Sequence, residues 1–443
     1  MKKLLLGTTA LVAGGLMAAP AMAADPIKMG VVGYYTFYAA GGSIDSSYAV
    51  NGTHGQWRGL SFIQEGEIHF TGQTKLDNGT TVGLTVELEA WNPAASTQID
   101  EAFMFAFGSW GRIEFGSRDQ ASYRMYYGTP SSLIGWGFFQ HNHNYVSPAT
   151  GFNKAFRGGI ATTIGPNHQD VNRINYFTPR FAGFQLGVGY APKVNVAPGS
   201  GAGLGTAGGA ASCGNTHATN QSNCATNDYS YHDSFDIGLN YLNKFGDVTV
   251  ALYAAWMNST FVPGFTTAAA NVSANSVTGA NATSWKQWVV GAQFGFAGFT
   301  VGGATGWDNN GLGANYFTGQ DNDTRLYTAG IMYETGPWQM SAGWAGFRNS
   351  NGNGSLPLGA VGVGGAYTAL APTGTTNAFS SNPNLGGLSF GTESVDYFEV
   401  GANYALAPGV KMVGGFVYYN VAGPSALVAG NSWAILFGMD FRF

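Results

Sequence analysis

Asn431-Ser432-Trp433-Ala434-Ile435-Leu436-Phe437-Gly438-Met439-Asp440-Phe441-Arg442-Phe443 is the stretch on which the fold turns. Trp433, Ile435, Phe437, Met439, Phe441 and Phe443 alternate with Ala434, Leu436, Gly438, Asp440 and Arg442. A period of two sends the aromatic and large apolar side chains to one face of a strand and mostly small or charged ones to the other. In a soluble sheet the apolar face would point into a core. In a sequence with only 10% charged residues, against roughly a quarter in ordinary globular domains, that face suits lipid, and Asp440 and Arg442 turn to a wet lumen.

The wider composition agrees. Glycine supplies 68 of the 443 residues and aromatics 14%; disorder would account for the glycine but not for the aromatics. Lys2 and Lys3, the apolar run Leu4 to Ala19 and the small-residue site Ala21-Met22-Ala23 predict a signal peptide over 1–23 and a mature barrel over 24–443. Removing Lys2 and Lys3 leaves 17 cations against 24 acids, a formal charge of −7, which argues against a nucleic-acid partner. After Ala23 no apolar run approaches the roughly 18 residues that a spanning helix needs.

Period-two segments predict an all-β fold of about sixteen strands. Seven hairpins pair 60–75 with 80–91, 98–108 with 111–118, 171–178 with 183–191, 233–243 with 247–258, 284–296 with 299–307, 323–335 with 338–348, and 395–406 with 410–420, and single strands fall at 28–40 and 431–443. Short turns such as Leu76-Asp77-Asn78-Gly79, Ala297-Gly298 and Gly336-Pro337 close the hairpins, as Asn, Gly and Pro do in tight reversals. Long polar loops join one hairpin to the next, the longest at 119–170. This alternation places both termini on the short-turn, periplasmic side. An even, closed barrel follows, because an open sheet would leave backbone groups unpaired in lipid. Val82, Leu84, Val86 and Leu88 against Thr85, Glu87 and Glu89 repeat the same division, and Trp57, Trp110, Trp338 and Trp433 near strand ends suit interfacial girdles.

Three motifs resemble the general diffusion porins of Gram-negative outer membranes, in their alphaproteobacterial branch. Ala24-Asp25-Pro26-Ile27-Lys28-Met29-Gly30 is similar to the start of that family's first strand, and Gly111-Arg112-Ile113-Glu114-Phe115-Gly116-Ser117-Arg118 to its fifth. Asn172-Arg173-Ile174-Asn175-Tyr176, followed by Pro179 and Gly183-Phe184, resembles the strand after its third loop. The closing strand resembles an outer-membrane insertion signal, which makes Phe443 an assembly-signal residue. The resemblance implies a homotrimer of 16-stranded antiparallel transmembrane barrels surrounded by outer-membrane lipid and lipopolysaccharide. Each pore would be narrowed by an inward-folded third loop, and small hydrophilic solutes and ions would pass without energy source or cofactor.

Parity predicts the constriction. Arg112, Glu114 and Arg118 lie opposite Ile113 and Phe115, and Arg173 opposite Ile174 and Tyr176, so all four point into the lumen, where fixed charges sort solutes. The loop adds Arg124 and Arg157, several aromatics, and no Asp or Glu between Gln120 and Gln169. This departs from the family's acidic loop, and a substrate-selective channel with a basic, aromatic eyelet is the second reading. Cys213 and Cys224, the only cysteines, read as a disulfide in an oxidising compartment, worth about 2–3 kcal/mol. Gly203-Leu204-Gly205-Thr206-Ala207-Gly208 matches a nucleotide-loop pattern but has no helix after it. His141 with His143, and Asp321 with Asp323, offer too few ligands for a metal site. No serine faces the lumenal His69, so an enzyme is not expected.

Overall fold

A computed structural model describes residues 26–45, 57–90, 99–134, 171–194, 230–262, 280–309, 312–315, 323–349, 393–422 and 430–443. Its strands in chain order are β1 (Lys28–Asp45), β2 (Trp57–Lys75), β3 (Thr81–Glu89), β4 (Ile99–Gly108), β5 (Gly111–Arg118), β6 (Val171–Phe177), β7 (Phe184–Val194), β8 (Ser230–Phe245) and β9 (Val248–Val262). They continue with β10 (Ala280–Ala282), β11 (Trp285–Phe296), β12 (Phe299–Asp308), β13 (Leu312–Asn315), β14 (Thr324–Thr335), β15 (Trp338–Asn349), β16 (Glu393–Ala407), β17 (Val410–Ala422) and β18 (Gly430–Arg442). Sixteen of them close into one antiparallel barrel, while β10 and β13 pair separately. All sixteen barrel strands coincide with the segments expected from alternation. The separate pair and one helical turn, α1 (Ala121–Arg124), are new; at three or four residues each, they are too short to carry a period.

Alternation becomes an inner and an outer wall. In β18, Leu436 is 1% exposed and its neighbour Phe437 57%. Wherever the apolar outer residues stand in the sheet, their backbone groups are spent on neighbouring strands, which is what lets the wall meet lipid. Tight turns hold the hairpins: Ala297 (φ 51°) and Gly298 (φ 83°) both take the left-handed conformation, the geometry that matches strand twist in a two-residue reversal. Closure is made by β1 against β18, in register from Tyr34 opposite Arg442 to Asp45 opposite Asn431.

Beyond β5 the chain turns inward, and residues 120–134 lie along the inner wall. Asp236 on β8 accepts the Ser122 backbone N–H at 2.8 Å, and the Tyr253 hydroxyl on β9 donates to the Ser122 carbonyl at 2.7 Å. Thr129 bonds Thr328 on β14 at 2.6 Å, and the Ser132 and Ser341 hydroxyls on the segment and β15 are 2.8 Å apart. Asn403 on β16 donates to the Ser132 carbonyl at 2.8 Å, and Tyr38 on β1 donates to the Ile134 carbonyl.

Glycine makes this close approach possible. A Cβ on Gly291 would sit 2.1 Å from the Tyr127 carbonyl oxygen, and one on Gly302 2.3 Å from that of Gly128. Neither distance is sterically attainable, so bare backbone on β11 and β12 lets the segment lie flat. Residues 135–170 of the long loop, the segment 1–23, and Cys213 and Cys224 fall outside the described residues.

Candidate functional site

Four of the expected site residues meet on the inner wall. Arg112 Nε donates to Glu114 Oε1 at 2.6 Å, and Arg124, delivered by α1, donates to Glu114 Oε2. The Glu114 side chain is 1% exposed; a carboxylate so desolvated persists as an anion only with cations against it. Arg118 Nη1 donates to Glu87 Oε1 on β3 at 3.1 Å, pairs with Glu101 on β4, and has its Nε 4.0 Å from Glu114. Three arginines therefore face three carboxylates, all from strands rather than from the loop.

The guanidinium planes rest on aromatic rings. Arg118 lies 4.2 Å from the centroid of Phe103, Arg112 4.5 Å from Phe105 and 5.6 Å from Phe107, and Arg124 5.1 Å from Phe177. Phe103, Phe105 and Phe107 form a ladder up β4, with successive centroids 6.4 and 6.1 Å apart. Each cation over a ring face contributes about 0.5–2 kcal/mol and fixes the guanidinium's tilt. Sequence reading missed this ladder, although the signal was present: Glu101, Phe103, Phe105 and Phe107 share one parity, opposite the outward Met104.

Arg173 is placed differently. It is 4% exposed, with Nη1 3.5 Å from Asp236 Oδ1, behind the start of the inward segment that Asp236 also holds. It belongs to the anchorage of that segment and does not face open water. Arg157 lies outside the described residues.

An acidic strip adjoins the arginines. The Tyr34 hydroxyl contacts Glu65 Oε1 at 3.2 Å and Glu67 Oε1 at 3.0 Å. His69 presents Nε2 to Glu67 at 2.7 Å and Nδ1 to Glu87 at 3.8 Å. One potential ligand atom each from Glu67, His69 and Glu87 falls within 4.8 Å of the others. The two carboxylates nevertheless address opposite edges of the imidazole, which suits a hydrogen-bonded bridge better than a shared ion.

A short-turn end of the lumen completes the region. Arg180, in the turn after β6, donates from Nη1 to the Gly183 carbonyl at 2.6 Å and from Nη2 to Asn240 Oδ1 at 2.9 Å and Gln185 Oε1 at 3.2 Å. Among the described residues it has no carboxylate partner.

Comparison with known proteins gives a consistent result. A family model described as Gram-negative porin matches residues 7–421. No curated protein matches the sequence. Among solved structures, an anion-selective porin from Comamonas acidovorans aligns with a TM-score of 0.52 at 13% identity, covering 94% of this chain and 100% of that one. A loop L8 deletion mutant of OmpT, an outer membrane protein of Vibrio cholerae, aligns at 0.51 and 10% identity, covering 95% of this chain and 100% of that one. At such identities the likeness is one of fold.

Proposed function

The chain belongs to the Gram-negative porin family and forms an outer-membrane channel for passive diffusion of small hydrophilic solutes and ions; from that premise we propose that its selectivity is set where Arg112, Arg118 and Arg124 face Glu87, Glu101 and Glu114. The observation that carries this reading is the ion-paired cluster on the inner wall, from Arg112–Glu114 at 2.6 Å to Arg118–Glu87 at 3.1 Å. Three arginines balance these three carboxylates, and Glu65, Glu67 and Glu89 on β2 and β3 add negative charge to one side, so the field along the wall is graded. The strands thus supply the carboxylates that the loop lacks.

The rest of the proposal follows the family. The whole stretch 119–170 folds inward, with Arg157 adding charge on the loop; Arg173 holds the base of that loop. Residues 1–23 are cleaved, both termini face the periplasm, Cys213 and Cys224 are disulfide-bonded, and three copies assemble in lipid and lipopolysaccharide. No step is enzymatic, because the chemistry is exclusion and diffusion alone.

Planar-bilayer recording on the purified protein tests the function. Stable, ohmic conductance steps in potassium chloride are expected; insertion without steps would refute an open channel.

A further inference from the structure

A recess of about 500 Å³ opens from the lumen at its short-turn end. Phe107, Arg112, Arg124, Met125, Phe177 and Arg180 are prominent in its lining. It lies between the inward segment and the turns that follow β4 and β6. Three guanidinium groups share this space with one carboxylate, Glu114, which is 1% exposed and saturated by Arg112 and Arg124. Two positive charges are left in excess. Arg112 engages Glu114 only through Nε, and Arg124 through one Nη; their remaining N–H groups have no partner among the described residues.

Apolar side chains form the smaller part of the lining. Phe107 and Phe177 are held by stacking on Arg112 and Arg124, and the Met125 thioether is 4% exposed beside them. The walls are more polar than apolar, and a site of this size with convergent donors and an aromatic edge fits a small organic anion. The carboxylate of such a ligand would be met by planar, forked donors, and a flat ring would find the partly exposed phenyl edge of Phe107.

We propose that this recess is a binding subsite for small aromatic carboxylates, which occupy it in transit with the carboxylate toward Arg180 and Arg112 and the ring against Phe107. The proposal rests on the channel reading given above. It adds a saturable site to a diffusion pathway, with recognition by ring as well as by charge. Inorganic anions and aliphatic carboxylates of the same charge match only half of the lining.

The full-length protein in planar bilayers provides the test, with benzoate as probe and acetate at equal concentration as the charge-matched control. Benzoate added in turn to each side should lower the potassium chloride conductance along a saturating curve, and acetate should not. Arg180→Gln removes a donor, and Gln185→Glu sets a competing carboxylate beside Arg180, whose Nη2 is 3.2 Å from Gln185 Oε1. Each should raise the half-saturating benzoate concentration by about tenfold or more, the loss expected when a charged hydrogen bond is removed. Benzoate and acetate acting alike, or an unchanged half-saturation in either variant that forms channels, would overturn the subsite and leave the channel intact. Absence of conductance steps in potassium chloride alone would instead overturn the channel reading, and this proposal with it.

Discussion

Gly33 and Phe443 exchange two backbone hydrogen bonds, Gly33 N to Phe443 O at 2.8 Å and Phe443 N to Gly33 O at 3.1 Å. The pair extends the β1–β18 ladder past Tyr34 and Arg442 and is the last fastening of the closed ring. A side chain on Gly33 could not be accommodated, since its Cβ would come within 2.3 Å of the Glu67 carbonyl oxygen and 3.1 Å of the Phe443 ring. Deleting Phe443 and, separately, Gly33→Val should therefore reduce the yield of folded barrel, as read by the heat-modifiable gel shift of outer-membrane fractions. Channels that do form should conduct as the parent does. Normal yield of the deletion would show that this fastening is dispensable.

The inward segment can be tested by proximity. Ser132 Oγ lies 2.8 Å from Ser341 Oγ, so Ser132→Cys with Ser341→Cys should crosslink under mild oxidation. The bridged form, closed into a large covalent loop, should migrate differently from the reduced form on denaturing gels. Two free thiols by mass spectrometry, under oxidant and in the folded barrel, would place the segment elsewhere.

Charge at the wall has a signed expectation. Replacing Arg112, Arg118 and Arg124 together with glutamine removes three cations and leaves Glu87, Glu101 and Glu114 uncompensated. The cation-to-anion permeability ratio from reversal potentials should rise, and the rise should shrink in molar salt, where the Debye length falls to about 3 Å. Stability should fall too, by about 3–5 kcal/mol for each buried acid left without a partner. A ratio equal to the parent's at low salt would mean that this cluster does not face the ion path.

The outer wall has its own test. Val400 stands near the middle of β16, 56% exposed on the face that meets lipid. Val400→Arg should cost about 2–4 kcal/mol in a bilayer, measured by reversible denaturant unfolding in liposomes. A cost near zero would place Val400 away from the hydrocarbon midplane.

The barrel was legible in the sequence because each strand faces two solvents, and side-chain parity records both. Trp433 through Phe441 alternates without error, and the same holds for Val82 through Glu89. Parity also gave the inward face of Arg112, Glu114 and Arg118. What it could not give was which side chains meet across a hairpin and across the strand beyond it. Glu101 reaches Arg118 only because Ala102 pairs with Ser117, and Glu87 lies one strand further on. The same parity turns Arg173 to the lumen, and it carries no information on the buried Asp236 carboxylate and the loop's first turn that stand in front of it. The glycine excess was read as a property of a lipid-facing sheet. Part of it serves the inner wall, at positions such as Gly291 and Gly302 that no local pattern distinguishes from the rest.

A hollow tube fails by flattening, when two opposite sides approach and the other two bulge. The inward segment is tied near one end to Asp236 on β8 and at the other to Tyr38 on β1, strands that stand nearly opposite one another around the ring. Between these ties it is pinned at β14, β15 and β16. It therefore works as an internal rib over about half the circumference, stiffening the tube against lateral pressure from the membrane.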